Sequence, residues 1–520
     1  MKLVTAEMMR RIDGETINNR GIPGPELMEN AGRGIAERIR EFVLEGYCEG
    51  RRLAVICGKG NNGGDGFVVA RYLHQWGAQV EVYYPAPDES LSDDARLNFN
   101  RAEVIGVPLF TIENVNQLPE QLDAEFIIDA VFGTGFSGAP RGLPAEFIEY
   151  INRQMLPVIA VDCPSGLNVD TGQHEGAVVQ AMYSFPLASP KIGMYYSPGR
   201  ELSGIIEVVP IGVPDDVYRQ FEIMENLITP ELVEKLLPKR KPDGHKGDFG
   251  KLFIVAGSTG LTGAACLTAN ASARAGLGLV TVGCPKSLNP ILEIKLTEAM
   301  TYPLPDVAKK GVLALRGLGE IKKQITIRDA AIIGPGIGRH HETVELIRRL
   351  IASLEKPAII DADGLNAFEK DRSALTKEHP TLVLTPHPGE FRRLIDEDLP
   401  HELYALYELV RKYAREYNSV IVLKGSPTIV VNVDGQLYLN PTGNNGMATG
   451  GTGDVLSGII GSFLAQGMAP IEAAICAVYL HGLAGDLAAA ELGFRSLIAG
   501  DLIDYLSDAF SLLDLHDNMP

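Results

Sequence analysis

The sequence predicts an α/β protein made of two units, each a mostly parallel sheet with its ligand loops at one edge. Three observations carry this reading. Short continuous apolar runs, each leading into a glycine-rich polar loop, recur in both halves of the chain. Stretches with helical apolar spacing lie between several of these runs, as βαβ architecture requires. The 520 residues exceed one ordinary core, and a basic, turn-rich stretch at Pro238-Lys239-Arg240-Lys241-Pro242-Asp243-Gly244 parts the halves.

In chain order, residues 5–43 read as helical, with Leu27, Ala31, Ile35, Ile39 and Phe42 on one face. Leu53-Ala54-Val55-Ile56-Cys57 reads as a buried strand, 58–66 as a glycine loop, 67–76 as a helix and 79–84 as a second strand, a right-handed βαβ unit. Two further strands, Phe126-Ile127-Ile128-Asp129-Ala130 and Val158-Ile159-Ala160-Val161-Asp162, end in Gly133-Thr134-Gly135-Phe136-Ser137-Gly138 and Cys163-Pro164-Ser165-Gly166. Residues 210–250 change character and form the expected boundary, with a short helix over 230–237. The second half restarts over 251–258 with a strand that runs into a glycine turn, followed by a helix over 262–276. Apolar runs then lead into Gly334-Pro335-Gly336-Ile337-Gly338, Asp361-Ala362-Asp363-Gly364, Thr385-Pro386-His387-Pro388-Gly389-Glu390 and Lys424-Gly425-Ser426-Pro427-Thr428. Residues 455–471 are uncharged, but their glycines, serines and Pro470 predict a buried helix ending at Gly467, not a membrane span.

Hydrophobic residues at 45% and charged residues at 22% describe an ordinary folded protein. The net charge of −19 argues against nucleic acid and anionic membranes as partners. The six scattered cysteines contain no C-x-x-C pair, so reduced thiols in a cytoplasm are expected. The N-terminus carries no apolar signal core.

The most informative motif is Gly450-Gly451-Thr452-Gly453-Asp454 ahead of an apolar helix. Unpaired amides and the dipole at a helix start favour an anion, usually phosphate. A carboxylate there needs its own task, and Asp454 suits a base that deprotonates a hydroxyl attacking phosphorus. Gly58-Lys59-Gly60-Asn61-Asn62-Gly63 matches G-x-G-x-x-G, but the second strand ends Tyr83-Tyr84-Pro85 without the acid a hydride-transfer domain needs. A substrate loop is favoured there. Asn62, Asp129 and Ser165 are oxygen donors that read either as separate turn and cap residues or as a hard-cation site. Asp162 reads as a cap or as an acid/base. Lys191 reads as a solvated side chain or an anion contact, and His387 as structural or as a ligand contact. Lys424 suits a nucleotide phosphate or ribose.

Taken together and in this order, the motifs resemble the family of bifunctional NAD(P)H-hydrate repair enzymes. Asn61-Asn62-Gly63-Gly64-Asp65-Gly66 and the loops at 133–138 and 161–166 resemble its epimerase. Gly257-Ser258, 334–338, 385–390, 424–428 and 451–454 resemble its dehydratase. The resemblance implies a Rossmann-like three-layer epimerase domain over 1–213 and a ribokinase-like α/β dehydratase domain over 225–520. It implies epimerisation of the R and S hydrates of NADH and NADPH, then ADP-driven dehydration of the S form with release of AMP and phosphate. It implies potassium on Asn62, Asp129 and Ser165, and hydrate contacts at Asn61, Asn62, Gly63, Gly64, Asp65, Gly133, Thr134, Gly135, Phe136, Ser137, Gly138, Ala139 and Asp162. In the dehydratase it implies hydrate contacts at Ala264, Gly336, His387 and Asp454. Nucleotide contacts fall at Lys424, Gly425, Ser426, Pro427, Thr428, Gly451, Thr452 and Gly453, with Mg2+ beside ADP and Glu390 ordering its water. Asp454 and Asp162 are the expected catalytic residues, and a cytoplasmic homo-oligomer is expected. The alternative is a vitamin or sugar kinase with an accessory N-terminal domain.

Overall fold

The structure is a computed structural model that describes residues 1–85, 91–240 and 242–517, with side chains to residue 513. Lys241 of the basic stretch and the last three residues of the expected second domain lie outside the described residues. The chain divides into two units, Met1–Ile223 and Met224–Pro520.

In the first unit, β1 (Arg52–Cys57), β2 (Gln79–Pro85), β3 (Leu109–Ile112), β4 (Phe126–Ala130), β5 (Val158–Val161), β6 (Tyr183–Phe185) and β7 (Ile205–Ile206) form one sheet. Its order is β3-β2-β1-β4-β5-β6-β7, and every pairing is parallel. Leu53, Val55 and Cys57 enter one core with Phe67 and Phe99. Ala54 and Ile56 enter a second core with Phe147 and Ile151. Both faces of β1 are therefore buried, which is why the strand reads as a continuous apolar run. The strand order reverses between β1 and β4, and such a switch point opens a crevice at the strand C-termini. The pairing of Ile56 with Asp129 and Cys57 with Ala130 sets the two following loops side by side.

One expectation is met in pieces here and one is corrected. Residues 5–43 are helical, with a break after Asn18. Thr5 caps the helix Ala6–Asn18 by accepting from Met8 N at 3.0 Å, and a new helix, Gly24–Arg38, starts after Gly21 and Pro23 and runs on as a π-helical turn, Ile39–Val43. The glycine loop expected over 58–66 is mostly helix, since Asn61–Gln75 is helical from Asn61 onward. Its glycines serve close approach. A Cβ on Gly63 would lie 2.0 Å from Gly58 O, and one on Gly66 2.6 Å from Ala130 Cβ. Gly63→Ala is expected to destabilise the first unit by at least about 1–3 kcal/mol, because the obstacle is backbone that cannot step aside. Calorimetry would register this as an earlier first transition with the second unit unchanged.

The second unit contains β8 (Glu225–Leu227), β9 (Lys251–Val255), β10 (Leu279–Pro285), β11 (Met300–Leu304), β12 (Ala330–Ile333), β13 (Ala358–Ile360), β14 (Leu382–Leu384), β15 (Ser419–Leu423), β16 (Thr428–Val431) and β17 (Leu437–Asn440). The order is β11-β10-β9-β12-β13-β14-β15-β16-β17-β8, parallel except where β16 pairs with β15 and β17. Lys424 to Pro427 thus joins antiparallel strands. β8 lies within the stretch expected to be boundary, yet it completes the second sheet by pairing with β17. Asn226 Nδ2 donates to Leu437 O at 3.1 Å, and Arg411 meets Glu225 at 2.6 Å. The helix Thr452–Ala465 is buried from Val455 to Ala465, as its small and apolar composition demands. One described helix, Pro470–Leu492, is long and apolar enough to cross a membrane, but 72% of its apolar window is buried inside the fold.

Candidate active sites

The crevice of the first unit is a cavity of about 670 Å³. Asn61, Asn62 and Asp65 reach it from the helix after β1. Gly133, Thr134, Gly135 and Phe136 reach it from the loop after β4, where Phe132 and Phe136 stack at 4.3 Å. Asp162 and Lys191 close its floor. Asp162 follows β5 at φ 66, a left-handed turn that aims its side chain into the crevice. Its Oδ2 accepts from Thr134 N at 2.7 Å and Thr134 Oγ1 at 2.6 Å, and its Oδ1 from Lys191 Nζ at 2.6 Å and Leu187 N at 3.2 Å. Burial alone would raise this carboxyl. The charge of Lys191 and the donors of Thr134 override burial and hold it below the usual range. Asp65 goes the other way, pushed well up by burial and by the charges of Asp162 and Asp13.

Beneath the cavity, Asp129 Oδ2 accepts from Ser165 N at 2.8 Å and Oδ1 from Ser165 Oγ at 2.6 Å. Burial pushes Asp129 to about 6 against these hydrogen bonds. Asn62 Nδ2 is buried without a partner, and a Cβ on Gly133 would lie 2.7 Å from Asn62 Oδ1. An all-oxygen set with one buried, reluctantly ionised carboxyl fits a hard monovalent cation, whose charge would offset that burial.

In the second unit, the loops after β13, β14 and β15 meet beside the start of the helix Thr452–Ala465, and the loops after β9 and β12 meet each other where Ser258 Oγ donates to Gly336 O at 2.8 Å. Gly451, at φ 100, is its N-cap, so the amides of Thr452, Gly453 and Asp454 have no partner within the helix. Lys424 Nζ lies 3.3 Å from where a Cβ of Gly453 would be. It donates to Asp361 Oδ1 at 3.0 Å and sits 3.9 Å from Glu390 Oε2. Burial would lower this lysine, but Asp361 and Glu390 override burial and raise it. Ser457 Oγ holds the other Asp361 oxygen at 2.8 Å. Asp454 occupies the first helical turn with no direct ion pair among the described residues. The dipole there is worth about 0.3–1 kcal/mol toward ionisation. Burial and the charges of Asp361, Asp363 and Glu390 win, and push Asp454 to about 7.

Not every expected contact faces a cavity. Gly63 packs against Gly58 and Gly64 against Met28, and Ser137, Gly138 and Ala139 lie beyond the lining of the first cavity. His387 caps the helix Pro388–Ile395, its Nδ1 accepting from Gly389 N at 3.0 Å while Glu390 reciprocates to His387 N at 3.0 Å. Gly336 stands against Ala264, where an added Cβ would sit 3.0 Å from the Ala264 side chain. Gly425 N meets Thr428 Oγ1 at 3.3 Å, closing the turn that holds Ser426 and Pro427. Sequence reasoning missed Asp361 as the partner of Lys424, although it named the loop. It also missed His481, whose Nε2 donates to Thr452 O at 2.9 Å and which burial holds neutral, at about 4. Among the described residues no three His, Cys, Asp or Glu side chains converge to hold a metal by themselves. Asp361 and Glu390, both beside Lys424, are carboxylates of the kind that hold Mg2+ one or two at a time together with substrate phosphates.

A family model described as NAD(P)H-hydrate dehydratase matches residues 252–508, and one described as YjeF-related protein N-terminus matches residues 24–193. The bifunctional NAD(P)H-hydrate repair enzyme Nnr of Moorella thermoacetica is 43% identical over 510 residues, spanning 97% of this chain and 96% of that protein. Its namesake from Thermofilum pendens is 35% identical over 516 residues, spanning 99% and 97%. A Bacillus subtilis ADP/ATP-dependent NAD(P)H-hydrate dehydratase co-crystallised with ATP/Mg2+ is 31% identical, covering 55% of this chain and 98% of that one at a TM-score of 0.47.

Proposed function

This chain belongs to the family of bifunctional NAD(P)H-hydrate repair enzymes, an isomerase and a lyase on one polypeptide, and we propose how its residues divide that work. Residues 1–213 epimerise the R and S hydrates of NADH and NADPH. Residues 225–520 dehydrate the S hydrate at the expense of ADP, leaving AMP and phosphate. The observation that carries the second assignment is Asp454, held near half-ionisation at about 7 beside open amides and Lys424.

Hydroxide is a poor leaving group, and phosphorylation of the ring hydroxyl turns it into phosphate. Asp454 takes the hydroxyl proton as that oxygen attacks phosphorus. The amides of Gly451, Thr452 and Gly453 and the ammonium of Lys424 stabilise the charge that develops. The turn from Lys424 to Thr428 binds the nucleotide, and Ala264, Gly336 and His387 border the hydrate. Mg2+, when bound through Glu390 and a water, neutralises phosphate charge. In the first unit Asn61, Asn62, Asp65 and the loop from Gly133 to Phe136 hold the hydrate, and ionised Asp162 faces the ring cation formed when the hydroxyl leaves. Potassium, when bound by Asn62, Asp129 and Ser165, supplies a fixed positive charge beneath these loops.

The test is to add mixed hydrates of NADH with ADP and follow the return of NADH absorbance together with free phosphate. A stable phosphorylated product with no NADH would refute the dehydratase assignment. Exchanging potassium for a bulky organic cation is expected to slow use of the R hydrate and to leave that of the S hydrate unchanged. The protein is further read as a cytoplasmic homo-oligomer, to be checked by light scattering.

A further inference from the structure

The helix Ala6–Asn18 presents Met9, Asp13 and Ile17 to the cavity of the first unit at i, i+4 and i+8. The stripe is apolar except for its central carboxyl, a residue type that a plain packing face does not call for. Among the described residues no group hydrogen-bonds the Asp13 carboxyl. Asp162 across the cavity is the opposite case, since its two oxygens receive four hydrogen bonds. One of the four comes from Lys191, whose ammonium also donates to Leu187 O at 2.9 Å. Lys191 is thus committed, and Asp162 has neither a proton to give nor a free lone pair to receive one.

We propose that Asp13 is the acid and base of the epimerase site, giving a proton to the departing ring hydroxyl and recovering it when water returns on the other face. This rests on the assignment of epimerisation to the first unit. In the forward step the bond from ring carbon to hydroxyl breaks, and the lone pair of the ring nitrogen forms the carbon–nitrogen double bond. The Asp13 proton joins the leaving oxygen, and water departs. In the return step water attacks the opposite face of the same carbon. The electron pair goes back to nitrogen, and the carboxylate of Asp13 takes the surplus proton. Atoms and charge balance without any co-reactant.

The surroundings support this division of labour. The groups that act on Asp13 electrostatically are Lys191, Asp162, Asp65 and Tyr218, with Lys59 and Asp94 also lining the cavity. Burial is the main influence on Asp13 and raises it, Lys191 lowers it and Asp162 raises it, leaving it at about 6. Two carboxyls whose environments drive them apart, one fixed as an anion and one near neutrality, are a usual acid–base arrangement.

The experiment uses the full chain and the pure R hydrate without ADP, with the epimers separated by chromatography. Asp13→Asn is expected to lower epimerisation by ~10²–10⁴-fold, the usual range for loss of a positioned proton carrier. Its first calorimetric transition should match wild type, which shows that the unit carrying Asp13 is folded, and its ADP-driven conversion of the S hydrate should be unchanged. As pH rises above the Asp13 value, fewer molecules carry the proton, so wild-type kcat/KM for the R hydrate should fall on an alkaline limb. That limb should be missing in Asp13→Asn and displaced but present in Asp13→Glu. Epimerisation within threefold of wild type, or an unchanged limb, overturns the role of Asp13. A wild-type chain that does not epimerise the R hydrate at all would overturn the assignment of the unit instead.

Discussion

Asp454→Asn is expected to lower ADP-driven recovery of NADH from the S hydrate by ~10²–10⁴-fold while leaving ADP affinity near wild type. Asparagine keeps the size and the helix position but cannot accept the hydroxyl proton. The pH dependence follows from the same group. A base works only when ionised, and burial beside Asp361, Asp363 and Glu390 raises Asp454 to about 7. Wild-type turnover should therefore fall about tenfold per pH unit below that value and level off above it. A variant that turns over at near-normal rate, or a wild-type profile flat from pH 5 to 8, would remove Asp454 from the chemistry. Stability should move the other way. The folded carboxyl holds a proton that the unfolded chain releases near the ordinary value of 3.8, so folding grows less favourable as pH rises from there to about 7. Each unit of displacement corresponds to about 1.4 kcal/mol before solvent screening is discounted. At pH 8 Asp454→Asn should melt later than wild type, an inactive protein that is the more stable one.

Lys191→Met should cost the first unit roughly 3–5 kcal/mol, because it strands an ionised Asp162 in the interior. The side chains are 1% and 8% exposed and 2.6 Å apart, so water cannot replace the lost partner. In a unit of this size the melting midpoint should drop by roughly 2–4 °C per kcal/mol. Lys191 lowers the Asp162 pKa in the folded state, so the stability it contributes is present above the ordinary carboxylate range. It is lost as pH falls through the folded value. The deficit of the variant should accordingly be full at pH 7 and shrink in acid. Lys191→Met with Asp162→Asn should recover much of the midpoint, since no buried charge is left alone, while epimerisation stays absent. If the single variant melts with wild type at pH 7, the pair is not the anchor described.

Legibility in the sequence followed how local each signal is. β1, β4, β12, β13 and β14 were readable because burial on both faces produces unbroken apolar runs. β10 is not legible because Thr281 and Gly283 interrupt its run, and an added Cβ on Gly283 would press on Phe253 at 2.5 Å. The glycines at 63–66 read as loop since their spacing matches a loop signature. Only the packing against Gly58 and Ala130 explains why they are helical. Asp454 was legible from its turn, which is contiguous in the chain. Lys191 reads two ways because its partner stands 29 residues earlier, and Asp13 carries no local signal because the cavity it faces gathers segments scattered from Met9 to Ile211. Asp361 was visible only as part of a loop, and its hold on Lys424 spans 63 residues.

The pairing of β8 with β17 imposes an order on synthesis. Leu437 meets Glu225 across more than two hundred residues of intervening chain. At a ribosomal pace of about 5–20 residues per second, the segment after Ile223 waits roughly ten to forty seconds for its neighbour to emerge. The preceding unit already has all seven of its strands by then. A nascent chain would therefore carry a finished first module followed by a waiting ribbon, and a chaperone or protease that samples this interval meets Glu225, Asn226 and Leu227 without their sheet.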